Sequence, residues 1–360
     1  MNLNKGKRRT VIVALVITAA FVAIMASQRQ RFFQQTNYTT FPKEVSLKGE
    51  AFVLGNEDVL LRYPRHVRRY DKYLFIHDLH GKEHFMHLYD ASTLQHLTSF
   101  AKRGEGPEEL LLCTAFRIAS LDSIWVLDCN KRQLTRWSLQ AEKDSMLCVE
   151  KIHFSSSVVS PLDFIWKDKN SILIPDYSGE CRFMEVNRQG NVARQISAIP
   201  SNRRLVDEMR GAAAQAWRSF VDLHPKRNLL VSVTQLGDVV ELFNLETNEH
   251  HVSIGAEGEP AYCTTSQGHA IPSGFMGYTD VQMTDNYIYT VFHGRDFKDD
   301  QQFEDGGRFL HVFDLKGNPV CRYVLDHAIY GIHVDEERRV IWATDVNTDG
   351  QIIKFHLPEL

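Results

Sequence analysis

One short pattern recurs along the chain: a polar turn carrying Asp, Asn or Arg, then a compact run of apolar residues. It reads Asp71-Lys72-Tyr73-Leu74-Phe75-Ile76, then Asp122-Ser123-Ile124-Trp125-Val126-Leu127, then Asn170-Ser171-Ile172-Leu173-Ile174. It returns as Asn228-Leu229-Leu230-Val231, as Asn286-Tyr287-Ile288-Tyr289 and as Arg338-Arg339-Val340-Ile341-Trp342. The six copies stand 48 to 58 residues apart. Each is followed by a second run in which apolar and polar residues alternate, as in Met86-His87-Leu88-Tyr89-Asp90, Thr135-Arg136-Trp137-Ser138-Leu139 and Glu241-Leu242-Phe243-Asn244-Leu245. Continuous apolar runs suit strands covered on both faces, and alternation suits strands with one wet face.

Six units of about 50 residues, each of four short strands, describe an all-β fold, a six-bladed β-propeller. The last unit stops at Leu360, about one strand short. The segment 43–61, with Val45-Ser46-Leu47 and Val59-Leu60-Leu61, can supply that outer strand, so that an N-terminal strand closes the ring and removes an exposed edge. A β-solenoid would need shorter, more regular repeats, and a helical solenoid a 3.6-residue period.

The first 35 residues follow a different rule. Lys5, Lys7, Arg8 and Arg9 precede an uncharged run from Val11 to Ser27, and Arg29 and Arg31 follow it. As a helix this run spans roughly 25 Å, the short end of a membrane crossing. The heavier basic cluster before the span places the remainder outside the cytoplasm. The segment 1–35 therefore reads as an apolar helix that anchors a propeller over 36–360 to an inner membrane, single-pass, with the ring in the periplasm. A removed signal peptide is the alternative, although Ala23–Ser27 offers no clean small-x-small cleavage site.

Composition narrows the function classes. With 43% hydrophobic and 24% charged residues the chain can bury a large core, and a net charge of -4 leaves no electrostatic footprint for nucleic acid. Six scattered cysteines contain no C-x-x-C pair, which argues against a zinc ribbon or a thioredoxin-like motif. Cys113 and Cys129 flank one hairpin, where either a bridge or two buried thiols fits. The signatures G-x-S-x-G and H-E-x-x-H are absent, so the chain reads as a binding protein before an enzyme.

Between the first two units stands Arg103-Gly104-Glu105-Gly106-Pro107-Glu108-Glu109-Leu110, and Gly255-Ala256-Glu257-Gly258-Glu259-Pro260 echoes it between the fourth and fifth. The first segment resembles the G-x-G-P-x-E signature of the TolB-like six-bladed propellers, including the BF3164-like envelope lipoproteins. The resemblance covers roughly residues 45–360 and implies an envelope-located propeller. The chain departs from the lipoprotein members in having no cysteine before Cys113 to accept a lipid. On the residues alone, the glycines and proline make a sharp turn between blades. In a functional reading Arg103, Glu105, Glu108 and Glu109 present charge at the propeller mouth.

Long insertions are expected on one face of such a ring: Ser201–Trp217, helix-like with Ser201 or Asn202 as cap, then Gly255–Gly274, then the acidic His293–Arg308. Loops of the opposite face, such as Ala119–Ser123 and Asp335–Arg338, are minimal. Function tends to sit on loops held by a rigid scaffold, so the elaborated face is the expected working surface, with Asp296, Asp299 and Asp300 as candidate ligand-binding residues. His66, His77, His80, His84 and His87 form the densest imidazole cluster, although strand alternation points them different ways.

Two functions follow as expectations. The first is an exported, membrane-anchored propeller binding a peptide, glycan or protein partner of the envelope, without a cofactor. The alternative is a calcium-dependent hydrolase resembling the lactonase class of six-bladed propellers, with an axial metal held by Asp163, Asp222 and Asp280. Asp222 and Asp280 stand 58 residues apart, at equivalent blade positions.

Overall fold

The computed structural model describes residues 33–54, 59–299, 304–349 and 351–359. The expected apolar helix over Val11–Ser27 and Asp300 lie outside these residues. Among the described residues no helix is long and apolar enough to cross a membrane.

Three strands precede the blades: β1 (Gln34–Asn37), β2 (Lys43–Leu47) and β3 (Gly49–Phe52). The first blade is β4–β7 (Pro64–Tyr70, Tyr73–Asp78, His84–Asp90, His96–Lys102). The second is β8–β11 (Cys113–Ser120, Ser123–Asp128, Gln133–Gln140, Ser145–His153) and the third β12–β15 (Ile165–Asp168, Ser171–Pro175, Phe183–Asn187, Val192–Ile196). A helix α1 (Arg210–Ala216) leads into the fourth, β16–β19 (Ser219–Leu223, Leu229–Thr234, Val239–Asn244, His250–Ile254). The hairpin β20–β21 (Tyr262–Thr264, Ala270–Pro272) precedes the fifth, β22–β25 (Tyr278–Met283, Tyr287–Phe292, Gly307–Asp314, Pro319–Ile329). The sixth contributes β26–β28 (Ile332–Asp335, Val340–Thr344, Ile352–His356). The protein is an all-β six-bladed propeller.

The first strand of each blade lies innermost, and neighbouring first strands such as β4 and β8 or β22 and β26 pack against each other around the axis. Each recurrent apolar run is the second strand of its blade, sandwiched between two neighbouring sheets. One apolar cluster fills each of the six interfaces between blades. Phe75, Phe85 and Trp137 lie between the first two, Leu173, Phe183 and Phe243 between the third and fourth, and Val67, Leu74 and Trp342 where the sixth meets the first.

The third strands depart from expectation. Their alternation suggested a wet face, yet His87, Thr135 and Glu241 are buried. Both faces of a third strand are covered by adjoining blades, so its polar residues find partners inside. His87 Nδ1 lies 2.8 Å from Ser99 Oγ, and the Glu241 carboxylate meets Arg182. Water wets the fourth strands instead, as in β11 and β15.

The N-terminal arm runs along the outer edges of three successive blades. β1 pairs in parallel with β19, β2 in parallel with β25, and β3 antiparallel with β28 of the three-stranded sixth blade. The stretches singled out from sequence do not fill that last position. Val45-Ser46-Leu47 belongs to β2 on the fifth blade, and Val59-Leu60-Leu61 lies in no strand. The arm is pinned by Tyr38, whose hydroxyl donates to Asp238 at 2.7 Å beside the Tyr278 hydroxyl, and by Phe41 against Phe313 and His311.

Candidate functional site

Loops that follow the second and fourth strands share one face, and the long ones all lie there: 197–218, 255–277 and 293–306. They pack on one another. Glu259 accepts from the Ser201 hydroxyl at 3.1 Å and the Asn202 N–H at 3.0 Å, joining the connector before blade four to the one after it. Gln215, at the end of α1, accepts from the Ala270 N–H in the hairpin. Phe275 bridges to Asp296, which ties in the third insertion. Helix α1 begins at Arg210, well after the expected caps, because Ser201 and Asn202 are engaged by Glu259. Its run Ala212-Ala213-Ala214 is buried, small side chains letting the helix lie close against blade four.

The candidate charges take several positions. Arg103 donates to the Leu79 carbonyl at 3.3 Å and lies over the Phe85 ring, with its carbon 4.7 Å from the centroid. Glu109 folds back to accept from the Gly106 N–H at 3.0 Å and from Lys102 at 2.7 Å. Lys131 of the second blade donates to the Gly106 and Glu109 carbonyls. The turn favours Gly104, whose φ of +156° L side chains rarely adopt, and a Cβ there would stand 2.1 Å from Glu109 Oε2 and push the carboxylate out of the turn. Glu105 and Glu108 are exposed. Asp296 caps its own turn by accepting from the Lys298 N–H at 2.9 Å, and Asp299 is exposed beside it. The glutamates of the turn and the aspartates of the fifth blade belong to separate loops of this face, and among the described residues no bond joins them.

At the axis, Asp163, Asp222 and Asp280 each clasp the innermost strand of the next blade. Asp163 accepts from the Val221 N–H at 3.0 Å, Asp222 from Met283 at 2.8 Å and Asp280 from Ile332 at 2.9 Å. The free edges of innermost strands carry unpaired backbone groups that must be satisfied. Arg68 and Arg117 answer the carbonyls of the same edges. Arg68 forks onto Asp280 at 2.9 and 3.0 Å and reaches the Ile332 carbonyl, while Arg117 reaches Asp163 at 2.7 Å and the Val221 carbonyl at 2.8 Å. Burial raises the Asp163 and Asp222 carboxyls above their ordinary range, against the pull of Arg117. Both Asp280 oxygens already take two donors each, from Arg68 with Val281 and from Arg68 with Ile332. As arranged, these carboxylates hold strands and arginines, not a vacant ring of oxygens for calcium. Sequence reasoning missed the arginines, although each is the fifth residue of its strand, in β4 and in β8.

The histidines do not converge. His66 and His77 stack at 5.8 Å, His80 lies edge-on to Tyr63, and His87 turns to Ser99 and His96. Burial drives His77 and His87 down to about 3, so both are neutral. Among the described residues no group of three or more His, Cys, Asp or Glu side chains is placed to hold a metal ion. All six cysteines are free thiols, Cys113 and Cys129 included.

A family model for TolB-like 6-blade propeller-like proteins matches residues 40–337. The chain belongs to this TolB-like family. Among solved structures, it is similar to a protein of Bacteroides fragilis NCTC 9343 whose description places it among exported proteins. The two share 10% identity and a TM-score of 0.58, over 91% of this chain and 100% of that one. It is also similar to U3-55K, with 10% identity and a TM-score of 0.52 over 86% of this chain and 98% of the other. At such identities the likeness is one of fold. Among curated proteins none matches the sequence.

Where apolar side chains meet solvent separates the TolB-like ring's two faces. Nine large hydrophobic residues are exposed among the described ones, and six of them lie in connectors on the long-loop face. These are Val53 and Leu60 before blade one, Leu111, Val159, Val206 and Ile271, so each long connector between blades carries at least one.

Proposed function

We propose that this chain is an exported binding protein, tethered to the inner membrane by its N-terminal apolar segment, whose long-loop face captures a protein or peptide partner of the envelope. The observation that supports it is the ring of exposed apolar side chains on that face, at 78% exposure for Leu60 and 67% for Val53. Lone exposed hydrophobics are ordinary, but their concentration on one face of a monomer marks an interaction surface. The mutual packing of the three insertions favours recognition by a preformed platform, which lowers the ordering cost of association. Apolar anchors with a polar rim suit a polypeptide better than a glycan.

The test is crosslinking of the full-length protein in membranes. A partner captured by the wild type and by a Leu147→Asp control on the outer edge of blade two, but lost with Leu60→Asp or with Val206→Asp combined with Ile271→Asp, supports the reading. Equal capture by all variants sinks it. The calcium-hydrolase alternative would require Asp222 and Asp280 to abandon their strand clasps. One tightly held Ca²⁺ per chain, lost on Asp222→Ala, would favour it over the binding reading.

A further inference from the structure

The long-loop face is not the only concavity. At the opposite end of the axis the ring opens into a basin of about 350 Å³, within the range of small-molecule sites. All six innermost strands build it, through Arg69, Ile118, Trp166, Asp222, Met283 and His333. Above it the Arg68–Asp280 and Arg117–Asp163 pairs cross the axis, and beyond them remains a cavity of about 10 Å³, room for a single water. A ligand therefore enters from the short-loop side and stops at the arginines.

We propose that this basin binds a small monocarboxylate with an apolar body. Three arginines and one aspartate supply the formal charges of its wall, so the lining favours an anion. Two of the arginines are committed to the strand edges and to Asp280 and Asp163. Arg69 is not. Among the described residues it bonds through Nη1 alone, to Asp335 at 3.1 Å, and its buried Nε has no acceptor. The Nε–Nη2 edge of a guanidinium is the fork that receives a carboxylate with two parallel hydrogen bonds. A buried donor left without an acceptor is costly, which is why such an edge points to a missing partner. Two further orphan donors, the indole Nε1 of Trp166 and the Nε of Arg117, lie in the same wall. The Nη2 beside Arg117 Nε is already taken by Asp163 and the Val221 carbonyl, so Arg69 alone offers a whole edge and the count is one carboxylate, while Ile118, Leu223 and Met283 supply a surface for an apolar body.

The remaining polar residues do not oppose this assignment. Asp222 makes no ion pair, and burial moves its carboxyl upward against the pull of Arg117 and Arg68, which reduces repulsion of an incoming anion. Burial holds the His333 imidazole neutral, near 3, and among the described residues it makes no side-chain hydrogen bond, so it can serve a ligand as donor or acceptor. The charged groups facing His333 are Arg68, Asp335 and Arg69.

The experiment is calorimetric titration of the full-length protein in a non-ionic detergent with matched pairs: indole-3-acetate against indole-3-acetamide, and octanoate against octanamide. At least one acid is expected to bind about tenfold or more tightly than its amide. Arg69→Gln should bring that acid down to the level of the amide. Arg69→Lys, which keeps the charge beside Asp335 but lacks the fork, should lose most of the preference. Met283→Trp, which fills the basin and leaves Arg69 in place, should remove binding of acid and amide alike. Equal affinity for acid and amide, preference retained in Arg69→Gln, binding undiminished by Met283→Trp, or no binding of any probe would each overturn the proposal. Capture of a polypeptide on the long-loop face is independent of every one of these readouts.

Discussion

Replacing Glu241 by Gln removes one charge from the most deeply buried ion pair of the ring. Glu241 and Arg182 are 0% and 1% exposed, and join blades four and three through contacts of 2.6 and 3.0 Å. His250 Nε2 lies 3.2 Å from the other carboxylate oxygen. Arg182 is otherwise held by the Trp217 carbonyl and by the Ser219 and Ser232 hydroxyls, all neutral. After Glu241→Gln a full guanidinium charge remains out of water with only dipoles around it, which costs about 3–5 kcal/mol. Burial by itself raises the Glu241 pKa, but Arg182 and His250 outweigh it and leave the carboxyl below its ordinary range. A depressed carboxylate stabilises the fold above the pKa of the unfolded chain, and that contribution is lost as pH falls through the folded value. The gap between wild type and Glu241→Gln should thus be constant near neutrality and shrink in acid. Urea unfolding followed by tryptophan fluorescence at a series of pH values reads both quantities. A loss under about 1 kcal/mol at pH 7 would refute the argument, as would a gap that widens in acid. Replacing the pair together, Arg182→Met with Glu241→Leu, should recover most of the loss, since neither charge is then stranded.

Other consequences can be checked separately. Gly104→Ala should destabilise by about 1–3 kcal/mol in the same unfolding assay, because alanine is strained at a φ of +156° and its Cβ would displace the Glu109 carboxylate that closes the turn. A thiol titration of the native protein should show one fast-reacting group, Cys263, the only exposed cysteine, and the fast phase should vanish in Cys263→Ser. A fluorophore on Cys263, on the long-loop face, should escape quenchers carried by lipid head groups in proteoliposomes. The same fluorophore on Lys226→Cys in a Cys263→Ser background should be quenched, whereas equal or reversed quenching would contradict the orientation argued below.

The repeat was legible because each second strand is covered on both faces and must be written in apolar residues whatever its neighbours do. Loop lengths were legible for a similar reason, since they are spacings between those runs. What escaped depends on pairings made across the ring. Glu241 looked like the wet side of an alternating strand because nothing local marks Arg182, in the preceding blade, as its partner. Arg68 reads as one of several basic residues in β4 until the fold sets it against Asp280, four blades further along the chain. Ser201 and Asn202 have the chemistry of helix caps, but Glu259 takes them, and the helix starts only where the chain reaches the surface of blade four. Local pattern thus reports burial of strands, while the polar network at the axis is a property of closure.

The path of the N-terminal arm ties the two faces to a direction. β19 starts at the short-loop end of blade four and finishes at Ile254, where the connector 255–277 begins on the long-loop face. β1 runs parallel to it, with Gln34 beside His251 and Asn37 beside Ile254, so Phe33 enters at the short-loop rim. Only the residues between Ser27 and Phe33 separate that rim from the end of the apolar run, a reach of about 20 Å when fully extended. Under the proposed membrane anchoring, a tether this short would draw the short-loop rim toward the bilayer and carry Leu60, Val206 and Ile271 away from it. The axial basin would then open on the membrane side, where acids with apolar bodies concentrate. The Arg68–Asp280 and Arg117–Asp163 pairs stand between the two ends of the axis, so a ligand in the basin would have no open path through the ring to the long-loop face.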